Sequence, residues 1–167
     1  MKALVVTAIV ISLVIAGCSE TWEEYRSVGG RFVVEMPSDA NSQVQASDTD
    51  LGETVRHSIL LDKGDIYYAA TYVDVLDPER DAESRLDDLL AEMVTRTNGT
   101  LVSEMEVTLD DNPGRAFRIS AGEGPVTIHA RIYMVGDRLY QIQAATTGSA
   151  DTADAERYLN SFALRGD

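Results

Sequence analysis

Cysteine occurs once in the 167 residues, at Cys18, so the chain can close no disulfide within itself and its stability must come from packing. Lysine is almost missing: Lys2 and Lys63 are the only two, and with the arginines the basic residues number 14 against 28 acidic ones, a net charge of −14. A field of that sign argues against nucleic acid as a partner, because sequence-independent affinity comes from lysine and arginine displacing counterions from phosphate. Electrostatic attachment to anionic lipid is disfavoured for the same reason. Histidine occurs twice, at His57 and His129, and neither has a second ligand two or four residues away that would start a local metal site. Each is read as a packed or half-exposed strand histidine, with a long-range His57/His129 pair left open. There is no Gly-x-Ser-x-Gly and no Gly-Lys-Ser/Thr, and Gly122-Glu123-Gly124 lacks the third glycine of a dinucleotide site. Those glycines are read as turn residues, and no catalytic or cofactor-binding residue is assigned.

The one long apolar stretch is at the start. Met1 and Lys2 form a short positive region, Ala3 to Ala16 an uncharged apolar run, and small residues Ala16 and Gly17 precede Cys18. This is the layout of a secretory signal peptide. At about fourteen residues the run is short of the roughly 20 that a membrane-spanning helix needs. The sequence Ile15-Ala16-Gly17-Cys18 resembles the bacterial lipobox. That resemblance implies cleavage between Gly17 and Cys18, a diacylglycerol thioether on Cys18, and acylation of the new amino terminus, the usual site of palmitate. Ser19 after the cysteine resembles an outer-membrane sorting signal. The expected location is therefore the bacterial cell envelope, lipid-anchored on the outer membrane and facing the periplasm.

Three segments follow: residues 1–17 as a cleaved signal peptide, 18–21 as a lipidated tether, and 22–167 as one domain. Cleavage would leave 150 residues with 13 basic and 28 acidic side chains, net −15. A chain of that size buries roughly 68–70% of its unfolded surface and can build a single core.

Trp22 to Val28 and Arg31 to Pro37 read as an opening hairpin, and Ser38 to Gly52, rich in Ser, Asp, Asn and Gln, as a long surface loop. Thr54 to Asp62 and Ile66 to Val75 flank the turn Lys63-Gly64-Asp65 as a second hairpin. Asp77-Pro78 is expected to open a helix whose apolar positions Ala82, Leu86, Leu89, Leu90, Met93 and Val94 share a face, with Gly99 as its stop. Asn98-Gly99-Thr100 matches a glycosylation sequon but is read as part of that cap.

Four strands are then expected, about Leu101 to Leu109, Arg115 to Ala121, Val126 to Val135 and Arg138 to Thr146, separated by Asp110 to Gly114, Gly122 to Pro125 and Gly136-Asp137. A helix over Ala150 to Asn160 closes the chain. In the third of these strands Val126, Ile128, Ala130, Ile132 and Met134 alternate with Thr127, His129, Arg131 and Tyr133, which is the pattern of a half-buried antiparallel sheet. The fold class is α+β, an antiparallel sheet sandwiched with two helices.

Gly30-Arg31-Phe32 through Met36-Pro37, Pro113-Gly114-Arg115, Arg131-Ile132-Tyr133, Arg138-Leu139-Tyr140-Gln141 and the terminal Ser161-Phe162 together resemble the PsbP-like fold family. The family holds an extrinsic photosystem II protein, a eukaryotic Ran-binding nucleotide-release factor and many bacterial lipoproteins. The resemblance implies a non-enzymatic binding or assembly module. The expectation is a membrane-anchored interaction module for an envelope protein or component, acting through a sheet face or the Ser38 to Gly52 loop.

A small-ligand or calcium-binding lipoprotein is the alternative, motivated by the acidic surface. Asp48-Thr49-Asp50-Leu51-Gly52-Glu53 does not follow EF-hand spacing, since the twelfth position falls on Ile59, so its acids are read as solvated. Tyr67, Tyr68, Tyr72, Tyr133 and Tyr140 are read as sheet core with hydroxyls at the rim, an amphipathic ligand groove being the alternative.

Overall fold

The computed structural model describes residues 21–166 apart from 39, 50–51, 76–79, 123 and 149–151. Gly17 and Cys18, the expected cleavage and lipid-attachment residues, lie outside the described residues, as does the Asp77-Pro78 helix start. Among the described residues no helix is long and apolar enough to cross a membrane.

Two antiparallel sheets and two helices make up the domain. Strands β1 (Trp22–Ser27) and β2 (Phe32–Pro37) form the expected opening hairpin, and β10 (Ala163–Leu164) joins the far side of β2. The larger sheet has seven strands: β3 (Asn41–Thr49), β4 (Gly52–Asp62), β5 (Ile66–Asp74), β6 (Thr100–Leu109), β7 (Asn112–Ala121), β8 (Val126–Val135) and β9 (Arg138–Thr147). Their order across the sheet is β3-β4-β5-β9-β8-β7-β6, every neighbour antiparallel. Helices α1 (Ala82–Arg96) and α2 (Thr152–Ser161) cover opposite faces of it.

Alternation in β8 sorts the layers. Ile128, Ala130, Ile132 and Met134 pack with Phe117 and Ile119 of β7 beneath Leu86, Leu89, Leu90 and Met93 of α1. Tyr133 points the other way, into a core shared by β2, β5, β9 and α2, where Phe32, Val34, Tyr68, Tyr140, Tyr158 and Phe162 meet. Both faces of β8 are thus covered, and even His129 on the odd-numbered face is only 5% exposed. Arg115 ties β7 to α1 through Glu83 at 2.5 Å and Asp87 at 3.2 Å.

Three expectations are corrected. The stretch Ser38 to Gly52 is not a loop, because Asn41 to Thr49 pair with Gly52 to Leu60 as the outermost strand of the large sheet. Its polar side chains suit an edge whose backbone is satisfied on one side and whose exposed residues meet water.

The N-cap of α1 is Asp81, not Asp77: its carboxylate accepts the backbone N–H of Ser84 at 2.9 Å. At the other end it is Asn98, with φ 46°, that takes the left-handed conformation, while the Gly99 N–H donates to the Val94 carbonyl at 3.0 Å. A side chain at Gly99 would run into Ile119, which is why glycine follows.

The turn between β6 and β7 is two residues long rather than five. Asp110 (φ 48°) and Asp111 (φ 65°) both adopt left-handed geometry, the requirement of a tight hairpin turn, so β7 starts already at Asn112.

Candidate functional site

The two histidines do not meet. His57 on β4 lies opposite Tyr72, which lies opposite Tyr140 and then Tyr133, whereas His129 on β8 lies opposite Ala144. The rows are four residues apart along β8, and the strands are separated by β5 and β9. His57 instead stacks on Tyr72 with ring centroids 4.6 Å apart. Among the described residues no three His, Cys, Asp or Glu side chains gather as metal ligands. Asp48 and Glu53 are cross-strand partners in the β3-β4 hairpin, and Asp50 and Leu51 of that stretch lie outside the described residues.

Of Tyr67, Tyr68, Tyr72, Tyr133 and Tyr140, three are core, and Tyr67 and Tyr72 are half-buried. Tyr68, Tyr133 and Tyr140 are buried, and the Tyr140 hydroxyl donates to the Gly30 carbonyl at 2.8 Å. Tyr67 belongs to the opposite face of β5, so the five do not line one groove.

Two of the concave regions among the described residues are lined by charged side chains of both signs. The larger, about 360 Å³, is bordered by Arg31, Arg138 and Arg165 together with Asp74 and Asp137. It is a clasp. Arg138 holds the Asp74 carboxylate with two hydrogen bonds of 2.6 and 3.0 Å, donates to the Gly29 carbonyl at 2.8 Å, and lies 4.8 Å from the centre of the Tyr72 ring. The hydrogen bond from Arg138 keeps the Asp74 carboxyl below its ordinary pKa. These contacts pin the β1-β2 turn to the ends of β5 and β9.

The second region is a groove of about 320 Å³ on the α2 face, floored by β7 and β8 and walled by β6 and α2. The register explains its composition. Ser103, Arg118 and His129 sit opposite one another across β6, β7 and β8, and Met105, Ala116 and Arg131 form the adjacent row. Glu156 and Leu159 of α2 close the opposite side. Both ring nitrogens of His129 are buried without a hydrogen-bond partner. Burial pushes the His129 pKa down, outweighing the carboxylate of Glu156, which raises it.

That lowered pKa has a consequence for stability. The unfolded chain takes the proton at an ordinary pKa near 6.5, more readily than the folded one. The contribution of neutral His129 is therefore complete above about pH 6.5 and is lost as pH falls toward the lower folded value. Urea midpoints measured from pH 7 to 5.5 should decline in the wild type and decline less in His129→Leu. Parallel declines would show that His129 does not govern this pH range.

Beside the groove runs β6, the last strand of the sheet, with no strand beyond it among the described residues. Among the described residues five large hydrophobic side chains are exposed, and three are on this strand: Leu101 at 39%, Val102 at 55% and Met105 at 63%. The strand order that puts β6 at an edge, and so leaves these three side chains uncovered, is not legible in the sequence.

No protein-family model matches this chain, and no curated protein sequence matches it. Solved structures do. The solution structure of CyanoP, the cyanobacterial PsbP of Synechocystis sp. PCC 6803, matches with a TM-score of 0.58 at 12% identity, covering 92% of this chain and 97% of that one. PA94 of Pseudomonas aeruginosa, a protein of unknown function, matches at TM-score 0.39 and 12% identity over 81% of this chain and 88% of that one, too distantly to support an argument. The fold is PsbP-like, α+β, as the sequence resemblance implied.

Proposed function

We propose that this PsbP-like domain is a non-catalytic docking module of the cell envelope, held at a membrane by lipid on Cys18 and receiving a partner protein along β6. The uncovered edge carries the reading. A ten-residue strand at the rim of a sheet offers unpaired N–H and C=O groups in a row, and folded proteins ordinarily shield such edges with charge, proline or a covering element. Here Glu104 and Glu106 put charge on the strand, but Leu101, Val102 and Met105 are exposed between and beside them, so both a hydrogen-bonding template and apolar contact area face outward. The opposite rim, β3, reads Asn-Ser-Gln-Val-Gln-Ala-Ser-Asp-Thr and displays one exposed large hydrophobic residue, Val44. The two edges of one sheet therefore differ in what they can hold.

A photoreactive amino acid at Val102 should crosslink the membrane-bound protein to a discrete envelope protein in living cells. The same residue at Gln43 should give no such adduct. Equal labelling from both strands, or none from Val102, would remove β6 as the docking edge.

A further inference from the structure

We propose that the groove over His129 is a binding site for a small zwitterion of the amino-acid class, its carboxylate taken by Arg118, its ammonium by Glu156, and its apolar side chain laid against Met105 and Leu159. This site borders the β6 edge, sharing Met105 with it, but does not rest on the docking role.

The starting observation is the imidazole. A buried polar group without a partner is costly, so each one in a native structure calls for an explanation. His129 is 5% exposed, lines the groove and has neither ring nitrogen bonded. Both nitrogens are sealed from solvent, and with a lowered pKa the ring is neutral near pH 7, so it forms an uncharged floor beneath the charged groups around it.

The charges around it are arranged in two signs. Arg118 lies directly across from His129 on β7 and spends only its Nε, on the Ser103 hydroxyl at 3.0 Å. Its terminal nitrogens have no partner among the described residues. Glu156, from α2 on the other side of the imidazole, acts on it electrostatically and forms no ion pair among the described residues.

The remaining charged residues of the lining are already engaged. Arg131 donates to the Leu159 carbonyl at 3.2 Å and to Asn160 Oδ1 at 2.5 Å, and Glu104 accepts from Arg115 at 3.4 Å. One free cation and one free anion around a neutral imidazole define the complement: an anionic and a cationic group close together on one small molecule. A space of about 320 Å³ is at the small end of ligand sites, which favours a single residue or a short peptide over a larger body.

The test uses the full lipidated chain in detergent micelles, with ring carbons of histidine labelled for NMR. Leucine, N-acetyl-leucine and leucinamide are titrated separately, and trileucine distinguishes a free amino acid from a peptide as the source of the zwitterion. Leucine should shift the His129 signals saturably while those of His57 stay put. N-acetyl-leucine and leucinamide, each lacking one charge, should bind about tenfold more weakly, the loss of one charge-assisted hydrogen bond.

Arg118 and Glu156 are both exposed, so Arg118→Gln and Glu156→Gln should fold normally. Arg118→Gln should erase the advantage of leucine over leucinamide and keep its advantage over N-acetyl-leucine; Glu156→Gln should do the reverse. Equal shifts with all three compounds, no shift at tens of millimolar, or variants that leave the ranking unchanged would each overturn the site without touching the β6 reading.

Discussion

Phe32→Ala should cost about 3–5 kcal/mol of unfolding free energy, the usual range for deleting a buried phenylalanine. Phe32 is 2% exposed and stands at the start of β2, the central strand of the small sheet. Its ring lies edge-on to Tyr72 and Tyr140, at 6.3 and 6.1 Å between centroids, and 5.2 Å from Phe162. Those partners come from β5, β9 and the segment after α2, so one side chain fastens the small sheet to both the large sheet and the closing helix.

No disulfide can share that load. With overall stabilities of roughly 5–15 kcal/mol, the loss is a large fraction of the total. At roughly 2–4 °C per kcal/mol for a domain of this size, the melting temperature should fall by about 6–20 °C. Calorimetry or urea unfolding would measure it. A loss below about 1 kcal/mol would mean that the small sheet is not docked as part of one cooperative unit.

What could be read in the sequence depended on whether the signal was local. Strands β7 to β9 are bounded by marked turns, and Gly136, with φ 58°, sits where the sequence placed a tight hairpin. The alternation in β8 correctly separated Ile128, Ala130, Ile132 and Met134 from His129 and Tyr133. It could not say that α2 would cover the second face, because that depends on a segment some thirty residues away.

Strand β3 was missed since an edge strand needs few apolar residues, and Asn41 to Thr49 is held by its pairing with β4 rather than by burial of its own side chains. The sequence points to Asp77 as the cap, whereas the Ser84 N–H is held by the carboxylate of Asp81. Likewise His129 was named from the sequence, but its groove exists only because β6, β7 and β8 align Ser103, Arg118 and His129 in one row. Lateral strand order is the information that a periodicity pattern does not carry.

Cys18→Ser should abolish lipid modification outright, and with it any stable hold on the membrane. The other forces available to the chain are weak or of the wrong sign. The apolar run before Cys18 is about fourteen residues, short of a bilayer, and residues 18–167 carry net −15, which an anionic leaflet repels. On the proposed reading attachment would rest on acyl chains, at about 0.8 kcal/mol per buried methylene, where one chain binds reversibly and two or more hold stably.

Mass spectrometry of the mature wild-type protein should find Cys18 as the first residue, heavier by its lipid, and labelled palmitate should enter it but not Cys18→Ser. High salt should leave the wild type on the membrane, because no ion pair with the headgroups holds it. An unmodified wild-type amino terminus, or label undiminished in the variant, would sink the anchor. If the anchor holds, only Ser19, Glu20 and Thr21 separate it from Trp22, at most about 14 Å of extended chain. Trp22 packs edge-on against Tyr68 and beneath the Arg157 guanidinium, so an anchor at Cys18 would be joined to the folded core at its first strand and would keep the domain close to the lipid surface.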